Sequence, residues 1–159
     1  MLVMSPRALP PFDNSAMDGY AVRSAELPST LPIAGEVAAG QAPSEAVPEH
    51  VAIRIFTGAP VPPGLDTVVI QEDATIDGAN VTLPASPVGD NIRRAGEDIN
   101  AGDIAIKAGE RLDAAELGLL AALGVAEVPV SRAPRVALIA TGDELVSVGA
   151  AVSGGQIID

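Results

Sequence analysis

Through most of the chain, apolar residues fall in short runs cut off by glycine, proline and aspartate. Pro32-Ile33-Ala34, Val51-Ala52-Ile53-Arg54-Ile55, Thr67-Val68-Val69-Ile70 and, after Asp77-Gly78, Ala79-Asn80-Val81-Thr82-Leu83 have strand length and turn-bounded spacing. That pattern predicts a small antiparallel β-barrel or sandwich. Ahead of it, Met1 to Pro11 carries Pro10 and Pro11 and little periodicity, which predicts an extended arm. The polar stretch Phe12 to Gly19 reads as a loop feeding a short strand at Tyr20-Ala21-Val22-Arg23. From Ala95 to Leu112 the triplets Ala95-Gly96-Glu97, Ala101-Gly102-Asp103 and Ala108-Gly109-Glu110 recur, predicting regular turns between short strands. Helical periodicity appears at Asp113 to Leu123. Asp113 is placed to cap, Glu116 to complete a capping box, Leu117, Leu120 and Ala121 to share a face, and Gly124 to stop the helix. Val128-Pro129-Val130 then reads as an edge-type strand and Arg132 to Arg135 as a linker.

The pattern changes at Val136. Val136-Ala137-Leu138-Ile139-Ala140 is a continuous apolar run leading into Thr141-Gly142-Asp143-Glu144-Leu145. A buried first strand of a parallel α/β sheet has this form, with a ligand-facing loop at its carboxyl end. The expected division is therefore residues 1–18 and 112–135 as arm, helix and linker, 19–111 as the small β domain, and 136–159 as the start of a truncated α/β domain.

Composition narrows the function. The 159 residues hold 9 basic and 21 acidic side chains, a net charge of −12, which argues against a general electrostatic grip on nucleic acid or an anionic membrane. With 16 glycines and 14 prolines the chain is rich in turns, and with 2% aromatics its core rests on Val, Ile, Leu and Ala. No cysteine is present, so disulfides, thiolate metal sites and cysteine nucleophiles are excluded, and the single His50 excludes a multi-histidine metal site. There is no apolar run of membrane-spanning length, and the start Met1-Leu2-Val3-Met4 is unlike a signal peptide, so a soluble, cytoplasmic protein is expected. Phosphate-loop, Gly-x-Ser-x-Gly and His-Glu-x-x-His motifs are also missing.

Four places concentrate candidate chemistry. In Asn14 to Gly19 the polar groups either make local turn hydrogen bonds or leave Asp18 as a site carboxylate for a ligand or a hard divalent cation. In Ile55-Phe56-Thr57-Gly58-Ala59-Pro60-Val61-Pro62 a proline-bracketed turn is either only a rigid turn or exposes the Thr57 hydroxyl, with Gly58 and Ala59 permitting close approach of a ligand. Arg93 and Arg94 are adjacent, so in a strand they point to opposite faces: one is available to an anion and the other to an acid such as Glu97. Thr141-Gly142-Asp143-Glu144 follows an apparent buried strand, where open α/β sheets hold ligands. His50 reads as a surface loop residue.

Taken in order, Pro11-Phe12-Asp13-Asn14-Ser15-Ala16-Met17-Asp18-Gly19-Tyr20-Ala21-Val22, Arg54-Ile55-Phe56-Thr57-Gly58-Ala59-Pro60-Val61-Pro62, Val69-Ile70-Gln71-Glu72, Asn91-Ile92-Arg93-Arg94-Ala95-Gly96-Glu97-Asp98 and Thr141-Gly142-Asp143-Glu144-Leu145 resemble the molybdopterin molybdenumtransferases, the family that includes the E domain of gephyrin. The resemblance implies insertion of molybdenum from molybdate into adenylylated molybdopterin with release of AMP, assisted by Mg2+. It implies catalytic roles for Asp18, Thr57, Asp98 and Glu144, with Asp18 and Glu144 holding the metal, Thr57 hydrogen-bonding substrate and Asp98 orienting a neighbour such as Arg94. Ser15, Gly58, Arg94, Thr141, Gly142 and Asp143 are expected to bind the cofactor substrate. A homodimer with a cleft shared between subunits is implied, with molybdopterin adenylyltransferase as upstream donor. The sequence departs from the family pattern in lacking its N-terminal helical segment and in having Ile158 where the family has tyrosine. On this reading the chain is a fragment, inactive by itself, of an enzyme active at full length. The alternatives are a non-catalytic scaffolding module of the same descent and an unrelated β-barrel binding domain, which absence of a strand at Val136 to Ala140 would favour.

Overall fold

The computed structural model describes residues 2–42 and 47–159. They form two compact units, Met1–Val128 and Pro129–Asp159. In chain order the elements are β1 (Val3–Met4), β2 (Asn14–Ser15), β3 (Gly19–Val22), β4 (Ser29–Val37), β5 (Ala52–Ile55), β6 (Thr67–Ile70), β7 (Thr75–Asp77), β8 (Asn80–Leu83), β9 (Ile92–Arg93), β10 (Ile104–Ile106), α1 (Ala114–Leu123), β11 (Leu145–Val146) and β12 (Ile157–Ile158).

The first unit is built on a curled, half-barrel sheet of six strands in the order β6-β3-β5-β4-β8-β7. All its pairs are antiparallel except β4 with β5, which run parallel, a departure from the all-antiparallel expectation. A parallel neighbour needs a long return path. Fourteen residues separate Val37 from Ala52, enough for one. The central strands read as unbroken apolar runs because both of their faces are covered. Tyr20, Val22, Leu31, Ala52, Val69, Val81 and Leu83 fill one side. Ala21, Ile53, Ile55, Ala59, Leu65 and Val68 fill the other, so successive residues of β3, β5 and β6 alternate between two cores. Gly19 is required where β3 meets β6: a Cβ there would collide with the Val69 carbonyl.

The arm is tied down. β1 pairs with β10, β2 pairs with β9, and Leu9 bridges to Ile99. The acidic triplets are turns with a common device. In Arg94–Glu97, Asn100–Asp103 and Lys107–Glu110 the third residue is a positive-φ glycine, and the carboxylate of the fourth accepts the N–H of the first at 2.8–2.9 Å. Ala38–Gln41 repeats it with a glutamine at 3.1 Å. Helix α1 begins at the expected capping box, with Asp113 accepting from the Ala115 N–H and Glu116 returning to the Asp113 N–H, and it stops at Gly124 in the left-handed region. Its buried side is Leu120 and Leu123, whereas Leu117 and Ala121 are exposed, so the expected face is rotated. Val128-Pro129-Val130 forms no strand.

In the second unit the residue-level expectation fails. Val136 to Ala140 takes no strand conformation, and Leu138 is 95% exposed. A strand exists only through a ladder partner, and the described residues offer this run none. Parallel pairing does occur further on, between β11 and β12, with Leu145 opposite Ile157 and Val146 opposite Ile158. No helix among the described residues is long and apolar enough to cross a membrane.

Candidate functional site

Asp18 and Thr57 meet at one end of the large sheet. Gly19 lies opposite Ile55, so Asp18 falls just beyond the ladder beside the turn that follows β5. The Thr57 N–H and the Thr57 hydroxyl both donate to Asp18 Oδ1 at 2.8 Å. These bonds, the backbone one first, hold the Asp18 carboxyl below its ordinary pKa, and the nearby Arg54 charge acts in the same direction. Among the described residues Asp18 Oδ2 accepts no hydrogen bond. The arrangement favours the ionised carboxylate, with one oxygen fixed by two donors and the other left without a hydrogen bond among the described residues. Thr57 spends its hydroxyl proton on Asp18, so toward a ligand it has lone pairs to offer, not a donor.

Arg54 is a residue the sequence reading passed over. Strand alternation places Asp18, Tyr20, Arg54, Phe56, Val69 and Gln71 on one face. The Arg54 guanidinium lies 5.0 Å from the Tyr20 ring centroid and 5.1 Å from that of Phe56. Its Nη2 donates to Gln71 Oε1 at 2.5 Å, and the Gln71 N–H donates to the Asp18 carbonyl at 3.0 Å. A lone cation inside the apolar run Val51 to Ile55 was the available signal.

Beside this pair is a depression of about 450 Å³ lined by Leu9, Pro10, Asn14, Ser15, Ala16, Thr57, Gly58, Arg93, Asp98 and Ala122. Four expected site residues, Ser15, Thr57, Gly58 and Asp98, are thus brought to one place. Asp18 lies outside its lining, with Thr57 between. Ser15 is buried, and its hydroxyl donates to the Met17 carbonyl at 2.5 Å, so it shapes the loop. Gly58 has φ +79° and its N–H donates to the Ser15 carbonyl at 2.8 Å.

The two arginines divide differently from expectation. Asp98 Oδ1 accepts from Arg93 Nη2 at 2.6 Å, and Glu97 lies 3.5 Å from Arg93 Nε. The Asp98 bond and charge push the Arg93 pKa further up. Arg94, expected beside Asp98, instead donates through Nη1 to Asp13 Oδ2 at 2.6 Å. Strand β9 ends at Arg93 and Arg94 opens the turn that follows, so the two side chains reach different acids. Asp13 Oδ1 accepts the Ala95 N–H at 2.8 Å, and this bond, then Arg94, holds Asp13 below its usual pKa.

Thr141, Gly142, Asp143 and Glu144 belong to the second unit. There the Glu144 carboxylate folds back against Gly142, the Gly142 carbonyl accepts the Leu145 N–H at 3.1 Å, and the Glu144 carbonyl accepts the Ile157 N–H at 2.7 Å. Among the described residues no group of three or more histidine, aspartate or glutamate side chains is gathered to hold a metal ion. His50 is a surface residue 3.8 Å from Glu26.

These features define a class: a mainly β module with a tethered arm and one capped helix, carrying an acid–hydroxyl pair at a sheet end beside an ion-paired depression. The model of the MoeA N-terminal region (domain I and II) matches residues 2–124. The chain belongs to this family. It is 45% identical over 161 residues to the molybdopterin molybdenumtransferase of Haemophilus influenzae, an alignment covering 99% of this chain and 40% of the relative. To molybdopterin molybdenumtransferase 2 of Mycobacterium tuberculosis it is 44% identical over 166 residues, covering 99% and 41%. A solved molybdopterin biosynthesis MoeA protein from Pyrococcus horikosii superposes with a TM-score of 0.85 at 36% identity, covering 99% of this chain and 42% of that one. The chain spans about two fifths of the length of these relatives. This membership excludes the unrelated-barrel reading despite the missing strand at Val136 to Ala140.

Proposed function

We propose that this chain forms part of the site of a molybdopterin molybdenumtransferase, acting in molybdenum cofactor biosynthesis within a polypeptide of the relatives' length. The reaction is insertion of molybdenum from molybdate into adenylylated molybdopterin with release of AMP. The observation that carries the reading is the Asp18–Thr57 pair: a carboxylate held ionised by two donors on one oxygen and left open on the other, set within a motif of the family.

Among the described residues the pair would offer a magnesium ion a single protein oxygen, with no cluster of acids gathered to complete a site. Magnesium takes few protein carboxylates and draws its remaining oxygens from water and substrate. Asp18 Oδ2 would be the protein oxygen, and the ion would neutralise charge on the substrate oxyanions when bound. The rest falls to the chain itself. Thr57 keeps Asp18 aligned and ionised, Arg54 holds the adjoining face, and Arg93 offers the cationic side chain of the depression.

Both substrates are anionic and the chain carries −12, so binding depends on such local groups, not on overall charge. We also propose that the working form is a homodimer with a shared cleft, fed by molybdopterin adenylyltransferase. The exposed apolar side chains Met4, Ile104 and Leu117 support an association surface. The test is a chimera in which this chain replaces the matching region of the Haemophilus influenzae relative. Molybdenum insertion and AMP release are expected at rates near the parent's. A folded, substrate-binding chimera that releases no AMP overturns the proposal.

A further inference from the structure

The depression beside Thr57 has two walls. Leu9, Pro10, Asn14, Ser15 and Ala16 with Thr57 and Gly58 form one, and Arg93 with Asp98 belong to the other. Backbone bonds join them: Asn14 pairs with Arg93, Ser15 with Ile92, the Gly96 N–H donates to the Pro10 carbonyl at 2.9 Å and the Asp98 N–H to the Leu9 carbonyl at 2.9 Å. Asp13 adds a side-chain connection, and it is placed outside the depression. Both of its oxygens are used across the gap, one by Arg94 and one by the Ala95 N–H.

The consequence concerns which arginine reaches the site. Arg93 and Arg94 are adjacent and chemically identical, and Asp98 and Glu97 lie within a few residues of both. Two observations seat Arg94 away from them. Its Nη1 is on Asp13, and Gly89 packs close to its Nη2, where an added Cβ would stand 3.2 Å away. Arg93 is then left to Asp98 and Glu97, and it is the cationic side chain that lines the depression among the described residues.

We infer that Asp13 is a positioning residue that sorts the two arginines, sequestering Arg94 so that Arg93 alone is delivered to the Asp98 side of the depression. Asp13 touches no substrate in this account; it acts through Arg94 and the 94–97 turn. The pairing itself stands without the functional reading above, and only its consequence for catalysis rests on that reading.

Asp13→Asn is a narrow perturbation, because the amide oxygen still accepts the Ala95 N–H while the charge that holds Arg94 is lost. In this chain, the Arg93 Nε–Hε resonance at low temperature and the Asp98 carboxyl carbon shift report the Arg93–Asp98 pair. Asp13→Asn is expected to move both and to broaden the Arg93 signal, as Arg94 competes for Glu97 and Asp98. Removing the competitor must then rescue: the double variant Asp13→Asn with Arg94→Ala is expected to restore both signals to their wild-type positions. Arg94→Ala alone is expected to leave them unmoved. A simple clamp would not be rescued by deleting Arg94, so an unrescued double variant overturns the inference, as does an Asp13→Asn spectrum with Arg93 and Asp98 unchanged. If Asp13→Asn does not fold, Arg94→Ala decides alone: displaced Arg93 and Asp98 signals in that variant overturn the inference. Should the chimera with the Haemophilus influenzae relative be inactive while the rescue holds, the functional reading fails and the sorting does not.

Discussion

Gly19→Ala tests how tightly the sheet is closed beside Asp18. An ideal Cβ at Gly19 would overlap the Val69 carbonyl oxygen and stand 2.9 Å from Val69 C and 3.1 Å from Ile70 Cα. These are backbone atoms of the neighbouring strand β6, so no side-chain rotation relieves the contact. Overpacking of this kind costs about 1–3 kcal/mol. Displacing β6 also weakens its ladder with β3, where each hydrogen bond is worth about 1 kcal/mol net. We therefore expect a loss of about 3 kcal/mol, a large share of the roughly 5–15 kcal/mol that holds a domain folded. With a urea m-value of about 2 kcal/mol/M, the midpoint should fall by about 1.5 M. Gly35→Ala is the matched control in the same sheet. Its nearest neighbour would be Ile53 Cδ1 at 3.8 Å, an ordinary contact. There the substitution should be neutral or stabilise by about 0.5 kcal/mol through reduced chain entropy. Equal midpoint shifts for the two variants would refute the claim that backbone proximity, not glycine as such, is what Gly19 supplies.

Three further outcomes follow from the geometry. Asp113→Ala removes the cap of α1 and should cost about 1 kcal/mol, read as a lower urea midpoint with the same m-value. Asp13→Asn should lower stability at pH 7 by at most about 1 kcal/mol, since the pair with Arg94 is solvent-screened. Because the folded Asp13 pKa is depressed, that difference is present above the unfolded value of about 3.9 and must vanish as pH falls through the folded value. Urea midpoints of both proteins from pH 7 to pH 2 check the sign; a gap undiminished at pH 2 contradicts it. Ending the chain after Val128 removes the exposed Val136, Leu138 and Ile139 and should raise the monomer fraction in sedimentation velocity.

Much of the β unit was readable because short apolar runs bounded by Gly, Pro and Asp have few other uses. β3, β5, β6 and β8 fall where those runs lie. The helix was readable to the residue because Asp113, Glu116 and Gly124 act locally, whereas its buried face depends on what packs against it and came out rotated. The parallel pairing of β4 with β5 was not readable, since strand direction is set by a long connection and not by alternation. Val136 to Ala140 looked like a strand because its composition suits one, yet strand conformation needs a partner and composition does not supply it. At the site, Asp18 and Thr57 were named separately, and only the fold shows that one holds the other. That neighbouring arginines must diverge was foreseeable, but their assignment to Asp98 and Asp13 was not, because Asp13 is 81 residues from Arg94.

The part Asp18 plays is decided by the rate of molybdenum insertion and AMP release by the chimera carrying Asp18→Asn, at saturating Mg2+ and substrate. Asparagine keeps the acceptor for the Thr57 donors and removes the charge, so the fold is retained and a cation-holding role is lost. A fall on the order of a hundredfold or more, with unchanged urea stability, is the predicted result. A rate equal to that of the unsubstituted chimera would show that the Asp18–Thr57 pair is only a structural turn.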